Sequence, residues 1–309
     1  MPPLHLGTLL QRGIFDRCLR GTQATLQGDL KSTAQIFIQN VKGVAIISLN
    51  PGSQCSRVHN RHTGRGFGQK DETNMRIFDS NWMQVEKYLE HDDRIVLPVG
   101  STEQHGFLSL GTDAILAERV SVEAAAPLGV PVLPVLPFGM APYFASYPGS
   151  MSLRFSTYIE VVRDLLDCLE HQGFRRIAMI NGHGGNSPVV GLIREWTCQP
   201  RNEVVQVLFH SWYSGSKTVV AANEFDHDQM HGSWVENFAW TRLADIEMPA
   251  PKPIVPRELV MNLGPDAIRE AAPDGSLGGA YEYPDEAMQK VWAAGVAEVR
   301  EVIESGWVK

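Results

Sequence analysis

Arg176-Ile-Ala-Met-Ile-Asn-Gly-His-Gly-Gly-Asn186 begins as a short apolar run and passes without a break into a glycine-rich polar loop that carries a histidine. A buried strand ending in such a loop belongs to an open α/β sheet, where ligands gather beyond the carboxyl ends of the strands. Just upstream, Thr157 to His171 predicts a helix: Ile159, Val162, Leu166 and Leu169 form an apolar stripe, Thr157 and Glu160 a capping box, and Gly173 a stop. Downstream, Pro188 to Thr197 predicts another helix and Val204-Val-Gln-Val-Leu-Phe209 another strand. Toward the amino terminus the rhythm repeats. Trp82, Val85, Tyr88 and Leu89 mark a helix, Arg94-Ile-Val-Leu-Pro-Val99 a strand, Ala114 to Ala126 a helix and Val130-Pro-Val-Leu-Pro-Val135 a strand. This alternation predicts an α/β fold whose largely parallel sheet is covered on both faces. The Pro- and Gly-rich residues 249–285 predict an irregular excursion before a last helix at about 286–304.

With 309 residues, 43% of them apolar, the chain can bury a full core. Its charge is uneven: residues 1–74 hold nine Lys/Arg against four Asp/Glu, residues 75–309 eighteen against thirty-one. The acidic main part argues against nucleic acid as a partner and favours small uncharged or cationic substrates. Cys18, Cys55, Cys168 and Cys198 include no C-x-x-C pair, so neither a disulfide framework nor a thiolate zinc site is expected, and a cytoplasmic location is. The first residues lack a signal-peptide pattern and Val44–Leu49 is too short to span a bilayer, so no membrane partner is expected. Residues 50–74 read as a polar linker, which makes residues 1–74 an amino-terminal extension outside the core, with Met75 a natural start, or else a small docking element. Residues 75–309 then form the main domain.

Three polar stretches sit at predicted strand ends or in the loops leaving them: Gly100-Ser-Thr-Glu-Gln-His-Gly106, Gly111-Thr-Asp113 and Asn181-Gly-His-Gly-Gly-Asn186. They offer Glu103, His105, Asp113 and His183, a carboxylate/imidazole set of the kind that holds hydrolytic metals. Glu103 and His105 are two apart and lie on one side of extended backbone. Asp113, at a helix start, is placed for its second oxygen to bridge two ions. Taken singly, these residues also fit a solvated acid, a core histidine, a helix-terminal charge and a turn residue. A glycine loop can also cradle an anion, but no lysine accompanies this one as a phosphate loop requires. His231-Gly-Ser-Trp-Val-Glu236 adds a fifth ligand candidate, Glu236. Five positions correspond to roughly 140° around a helix, so Glu236 and His231 are expected to divide the work, Glu236 on metal and His231 on proton transfer. Asp226-His-Asp228 either orients His231 or is a solvated turn. Trp234, Phe238 and Trp240 either wall the pocket or pack the core.

At these residues the chain resembles the creatininase (creatinine amidohydrolase) family of metal-dependent hydrolases. The resemblance rests on Leu97-Pro-Val-Gly-Ser-Thr-Glu-Gln-His-Gly106, Leu110-Gly-Thr-Asp113, Tyr147-Pro-Gly149 and Asn181-Gly-His-Gly-Gly-Asn186, and runs from about residue 76 to 244. It implies a three-layer α/β/α fold, a homo-oligomer, and two divalent ions (zinc, manganese or iron) bridged by a carboxylate and a water. Carried onto this chain, Glu103, His105, Asp113 and His183 are metal ligands, with Asp113 the bridge. Where creatininase has a ligand glutamate two residues after the histidine, this chain has Gly185. Glu236 is then the implied replacement and His231 the catalytic histidine. Tyr143-Phe144 stands where the family often has Glu-His, so creatinine itself is not the expected substrate. The implied chemistry is attack of a metal-bound hydroxide on the carbonyl of a small cyclic amide or formamide, with Asp113 holding the ions and His231 donating the proton. Ring opening of a cyclic ketone such as an inositol-derived keto-inosose is the alternative within the family. Outside it, the alternatives are a non-catalytic small-molecule binding protein on the same fold and a phosphate-handling enzyme.

Overall fold

A computed structural model describes residues 36–41, 44–49 and 76–308, and the chain divides into two compact units, Met1–Gly66 and Phe67–Lys309. In the first unit, β1 (Ile36–Val41) and β2 (Val44–Leu49) pair antiparallel, with Ile36 opposite Leu49 and Val41 opposite Val44. This pairing falls where the sequence pattern assigns no element. The remaining expectations for the extension, the linker at 50–74 and a start at Met75, lie outside the described residues.

The second unit is built on three parallel strands in the order β3 (Arg94–Val99), β4 (Arg176–Asn181), β5 (Gln206–Ser211). Register sets Val99 beside Asn181 and Asn181 beside Ser211, so the strands end level and their outgoing loops share one edge. The expected strand at Val130–Val135 is reduced to isolated bridges, Val96 with Val132 and Val99 with Leu136. Proline explains the correction. Between those bridges neither Pro98 nor Pro134 has an N–H to give, so a continuous ladder cannot form.

Helices cover both faces. Side chains alternate along each strand, and β4 sends Ile177 and Met179 to one side, Ala178 and Ile180 to the other. The first set packs under α1 (Trp82–Leu89), α3 (Phe155–Gln172) and α4 (Val189–Thr197), through Tyr88, Val162, Leu166, Leu192 and Trp196. The second packs under α2 (Thr112–Ala125) and the last helix, α8 (Asp285–Ser305), through Leu116, Val120, Val291, Trp292 and Val299. Each such apolar side chain contributes ~1.5–3 kcal/mol relative to exposure, which makes this sandwich the main source of stability. The result is the expected three-layer α/β/α architecture.

Two local expectations change. Helix α3 begins at Phe155 behind the N-cap Arg154, which makes no side-chain cap, so Thr157 lies inside the helix and its capping box is not used. Gly173 does end it, at φ 105°, where an L side chain is strained. Residues 249–285 include two short helices, α6 (Arg257–Asn262) and α7 (Pro265–Ala271). Preceding them, α5 (Ser216–Asn223) receives its cap from afar: Glu298 of α8 accepts from the Lys217 and Thr218 amides. Among the described residues no helix is long and apolar enough to cross a membrane.

Candidate metal centre

The loops leaving β3 and β4 converge on the first turn of α2, and glycine makes this possible. A Cβ at Gly182 would lie 2.3 Å from the Asp113 carbonyl oxygen, so no larger residue lets the helix start approach so closely. The loop itself is braced from within. Asn181 accepts from the His183 amide at 3.1 Å and donates to its carbonyl at 2.8 Å, while Asn186 donates to the Gly100 carbonyl at 3.0 Å.

Glu103, His105, Asp113 and His183 are all at most 3% exposed and face one another. Asp113 stands between the two histidines: Oδ1 is 2.9 Å from His105 Nε2 and Oδ2 is 2.9 Å from His183 Nδ1. Glu103 Oε1 is 3.3 Å from His183 Nδ1, and Glu236 Oε1 is 3.8 Å from His105 Nε2. Two ligand groups therefore share Asp113, namely Glu103/Asp113/His183 and His105/Asp113/Glu236, with the atoms of each within 4.8 Å of one another. A third grouping joins Glu103, His105 and His231.

The imidazoles are oriented by main-chain carbonyls, which only accept. His105 Nδ1 donates to Glu103 O at 3.0 Å, His183 Nε2 to Met140 O at 3.0 Å and His231 Nε2 to Gln104 O at 2.7 Å. In each ring the other nitrogen is thereby turned toward the carboxylates, which is how histidine ligands are held at metal sites. Glu103 Oε2 is buried without a hydrogen-bond partner, a cost protein interiors rarely carry for an acid without use. This donor set fits hard or borderline divalent cations.

The electrostatics point the same way. Burial alone would lower His105, but Asp113 and then Glu236 overcome it and push the imidazole up to about 10. Burial also opposes charge on His183, yet Glu103 and Asp113 raise it well above the usual range. Burial would raise Asp113; His105 and His183 instead hold it well below ordinary carboxylates. Burial raises Glu103, and it raises Glu236 to about 7 against the pull of His105. His231 goes the other way, down to about 3, through burial and the neighbouring His105. Protons on two imidazoles and divalent cations are alternative ways of compensating these buried carboxylates.

The family model for creatininase, creatinine amidohydrolase, matches residues 79–307. The chain belongs to the creatininase family. Among relatives of this creatininase-family chain, the 3-dehydro-scyllo-inosose hydrolase of Thermotoga maritima is 24% identical over 244 residues, covering 72% of this chain and 76% of its own. The creatinine amidohydrolase of Pseudomonas putida is 33% identical over 118 residues, 36% of this chain and 45% of its own. A solved creatininase variant of Zn-Zn type superposes with a TM-score of 0.63 at 22% identity, over 76% of this chain and 98% of that one. Family membership makes the chain a hydrolase.

All six singled-out residues, Glu103, His105, Asp113, His183, His231 and Glu236, meet in one cage. The helical argument that separated His231 from Glu236 does not apply, because only Trp234–Glu236 forms a single 3₁₀ turn and His231 precedes it. Glu236 Oε2 accepts from the Gly232 amide at 2.7 Å, which folds the segment back so that both side chains enter the cage. Gly185 has no room for a ligand side chain: a Cβ there would lie 2.1 Å from the Met140 carbonyl and 2.7 Å from the Tyr143 hydroxyl. The Asp226–Asp228 turn bonds Tyr283, the Trp234 indole and its own backbone, while the His231 ring bonds Gln104. Trp234 and Phe238 are core residues, with Trp240 packed against them. Sequence reasoning missed Ser101, which donates to Asp113 Oδ2 at 2.8 Å, and Gln104, which surrounds His231 Nε2. Both lie within the quoted strand-end loop, but nothing in their spacing distinguishes them from ordinary loop polars. Phe144, stacked on His231 with centroids 4.5 Å apart, was noticed only as a departure from the family.

Proposed function

We propose that this chain is a metal-dependent hydrolase that uses two divalent ions, zinc, manganese or iron, to open the carbonyl of a small cyclic amide or formamide. The observation that carries this reading is the placement of Asp113, one carboxylate oxygen toward each of two ligand groups. Glu103 and His183 would hold one ion, His105 and Glu236 the other, with Asp113 available to both. Bound there, the ions would lower the pKa of a coordinated water toward ~7 and polarise the substrate carbonyl.

The chain's own residues supply the rest. The main-chain carbonyls fix the ring tautomers, so that the imidazole lone pairs would meet bound ions without reorganisation. His231 directs Nδ1 to within 3.7 Å of Glu103 Oε1, beside the ligands and accessible to a reacting group. There Nδ1, unprotonated while Nε2 donates to the Gln104 carbonyl, can take a proton from the attacking water and pass it to the departing nitrogen or carbon. Phe144, stacked on the ring at 4.5 Å, and His105, tilted beside it at 4.3 Å, restrict its turning.

A specific observation favours a second substrate class. The inosose hydrolase match covers 76% of that relative, against 45% for the creatinine amidohydrolase, which keeps a cyclic ketone in view. Full-length protein loaded with Zn, Mn or Fe should hydrolyse a member of a panel of cyclic amides, formamides and cyclic ketones. Plasma mass spectrometry should find one to two ions per chain. A folded protein that binds none of these metals would overturn the reading. An oligomeric enzyme is part of the proposal, and light scattering tests it.

A further inference from the structure

The Gly-rich segment Asp274-Gly-Ser-Leu-Gly-Gly279 lies far along the chain from every ligand except Glu236, yet it touches the histidine side of the cage at two points. The Leu277 amide donates to the His231 carbonyl at 2.9 Å. Gly275, at φ +86°, faces the side chain of Gln104, and a Cβ built there would lie 1.9 Å from Gln104 Oε1 and 2.8 Å from its Cδ. Neither distance is tolerable, so the amide of Gln104 fits only because residue 275 has no side chain.

Gln104 in turn is fastened on every side. Its main-chain N–H donates to Ser150 Oγ at 2.9 Å, and its Oε1 accepts from the Gly106 amide at 3.0 Å. Its main-chain oxygen takes the His231 Nε2 proton at 2.7 Å, and its side-chain Nε2, itself a donor, is packed 3.0 Å from the same ring nitrogen as a steric neighbour and not as a second hydrogen bond. At 5% exposure it has little freedom to relax. The hydrogen-bonded edge of the His231 ring therefore rests on one residue, and the side chain of that residue has its place because 275 has none.

We propose that Gln104 and Gly275 are positioning residues for His231, with Gly275 acting chiefly through the Gln104 amide, its nearest neighbour. The inference rests on the proposed role of His231 in proton transfer. A displacement of order 1 Å at a reacting group costs as much as ~10²-fold in rate. Gly275→Ala should therefore lower kcat by about 10- to 100-fold, with KM little changed and zinc content equal to wild type.

The discriminating experiment is a double-mutant cycle in the zinc-loaded full chain. Gln104→Ala removes the group that an alanine at 275 would strike. Gly275→Ala should then have no further effect on kcat in the Gln104→Ala background, whereas independent structural defects would add. A second readout needs no substrate. In ¹⁵N-histidine-labelled, zinc-loaded protein, with the His231 signals assigned by their loss in His231→Gln, the wild-type ring should show the Nε2-protonated tautomer. Gln104→Ala and Gly275→Ala should shift His231 far more than the other histidines. Additive kinetics in the cycle, or unmoved His231 signals in Gln104→Ala, would overturn the proposal. If Gly275→Ala does not fold, the Gln104→Ala spectrum and its kcat still decide the point. Failure of wild-type protein to bind zinc would instead strike the hydrolase reading, so the two failures are told apart.

Discussion

At the amino ends of β3 and β4, Arg94 and Arg176 meet Asp92 and Asp93; at the carboxyl ends of the same strands, loops bring Glu103 and Asp113 against His105 and His183. At the first end every charge has a permanent partner. Arg94 holds Asp92 at 2.6 Å, Arg176 reaches the other oxygen of Asp92 at 3.0 Å, and Arg176 also pairs with Asp93. At the second end the partners are imidazoles, which can give up their protons, and one oxygen of Glu103 has no partner. Guanidinium suits an ion pair meant to stay closed, because it never deprotonates. Imidazole suits a place where a cation must be able to replace a proton. The difference in base, more than the number of acids, separates a structural cluster from a reactive one.

Asp113→Ala is the harshest test of that contrast, since it removes the side chain shared by both ligand groups. Hydrolysis should fall to assay background and metal content to less than half of wild type by plasma mass spectrometry. Retention of both ions would end the shared-ligand reading. His231→Gln should lower kcat by about 10²–10⁴, the usual range for a lost general acid or base, with metal content unchanged. A parallel loss of metal would move His231 into the ligand set. Ser101→Ala, which deletes the hydroxyl bonded to Asp113, should weaken zinc affinity by ~10–100-fold in competition with a chelator.

The opposite end of the sheet should respond only in stability. Asp92→Ala should destabilise the fold by ~1–3 kcal/mol in denaturant titrations while kcat per folded enzyme is unchanged. Burial opposes charge on Asp92, but the Arg94 bonds outweigh it and hold its pKa below the ordinary value. A depressed folded pKa means that the stabilisation is complete above the unfolded value, near ~4, and is lost as pH falls through the lower folded one. The stability gap between wild type and Asp92→Ala should therefore be flat from about pH 5 to 7 and narrow below about pH 4. A gap that widened on acidification would contradict the ion-pair account.

The sequence was most legible where one rule acted alone. The apolar runs at Arg94–Val99 and Arg176–Ile180 could only be buried strands, and the stripe of Ile159, Val162, Leu166 and Leu169 could only be a helix face. It was least legible where two rules competed. Val130–Val135 has strand composition, but its prolines withhold the N–H groups that a ladder needs. Thr157 and Glu160 have the capping spacing, but the helix starts two residues before Thr157. In the cage, the ligand-type residues could be picked out by chemical class. Ser101 and Gln104 could not, because their roles depend on what lies across from them, and that partner is set by segments as remote as Gly275.

Helix α8 supplies Met288, Val291, Trp292, Val299 and Ile303 to the cluster that covers one face of the sheet, and its Glu298 closes the start of α5. During synthesis, β3, β4 and β5 all leave the ribosome long before residues 285–305 do. One side of the newborn sheet, including Val96, Ala178 and Ile180, has only α2 to cover it until that final segment arrives. A chain that stops between Ser211 and Asp285 is therefore expected to be a sticky, partly roofed half-sandwich.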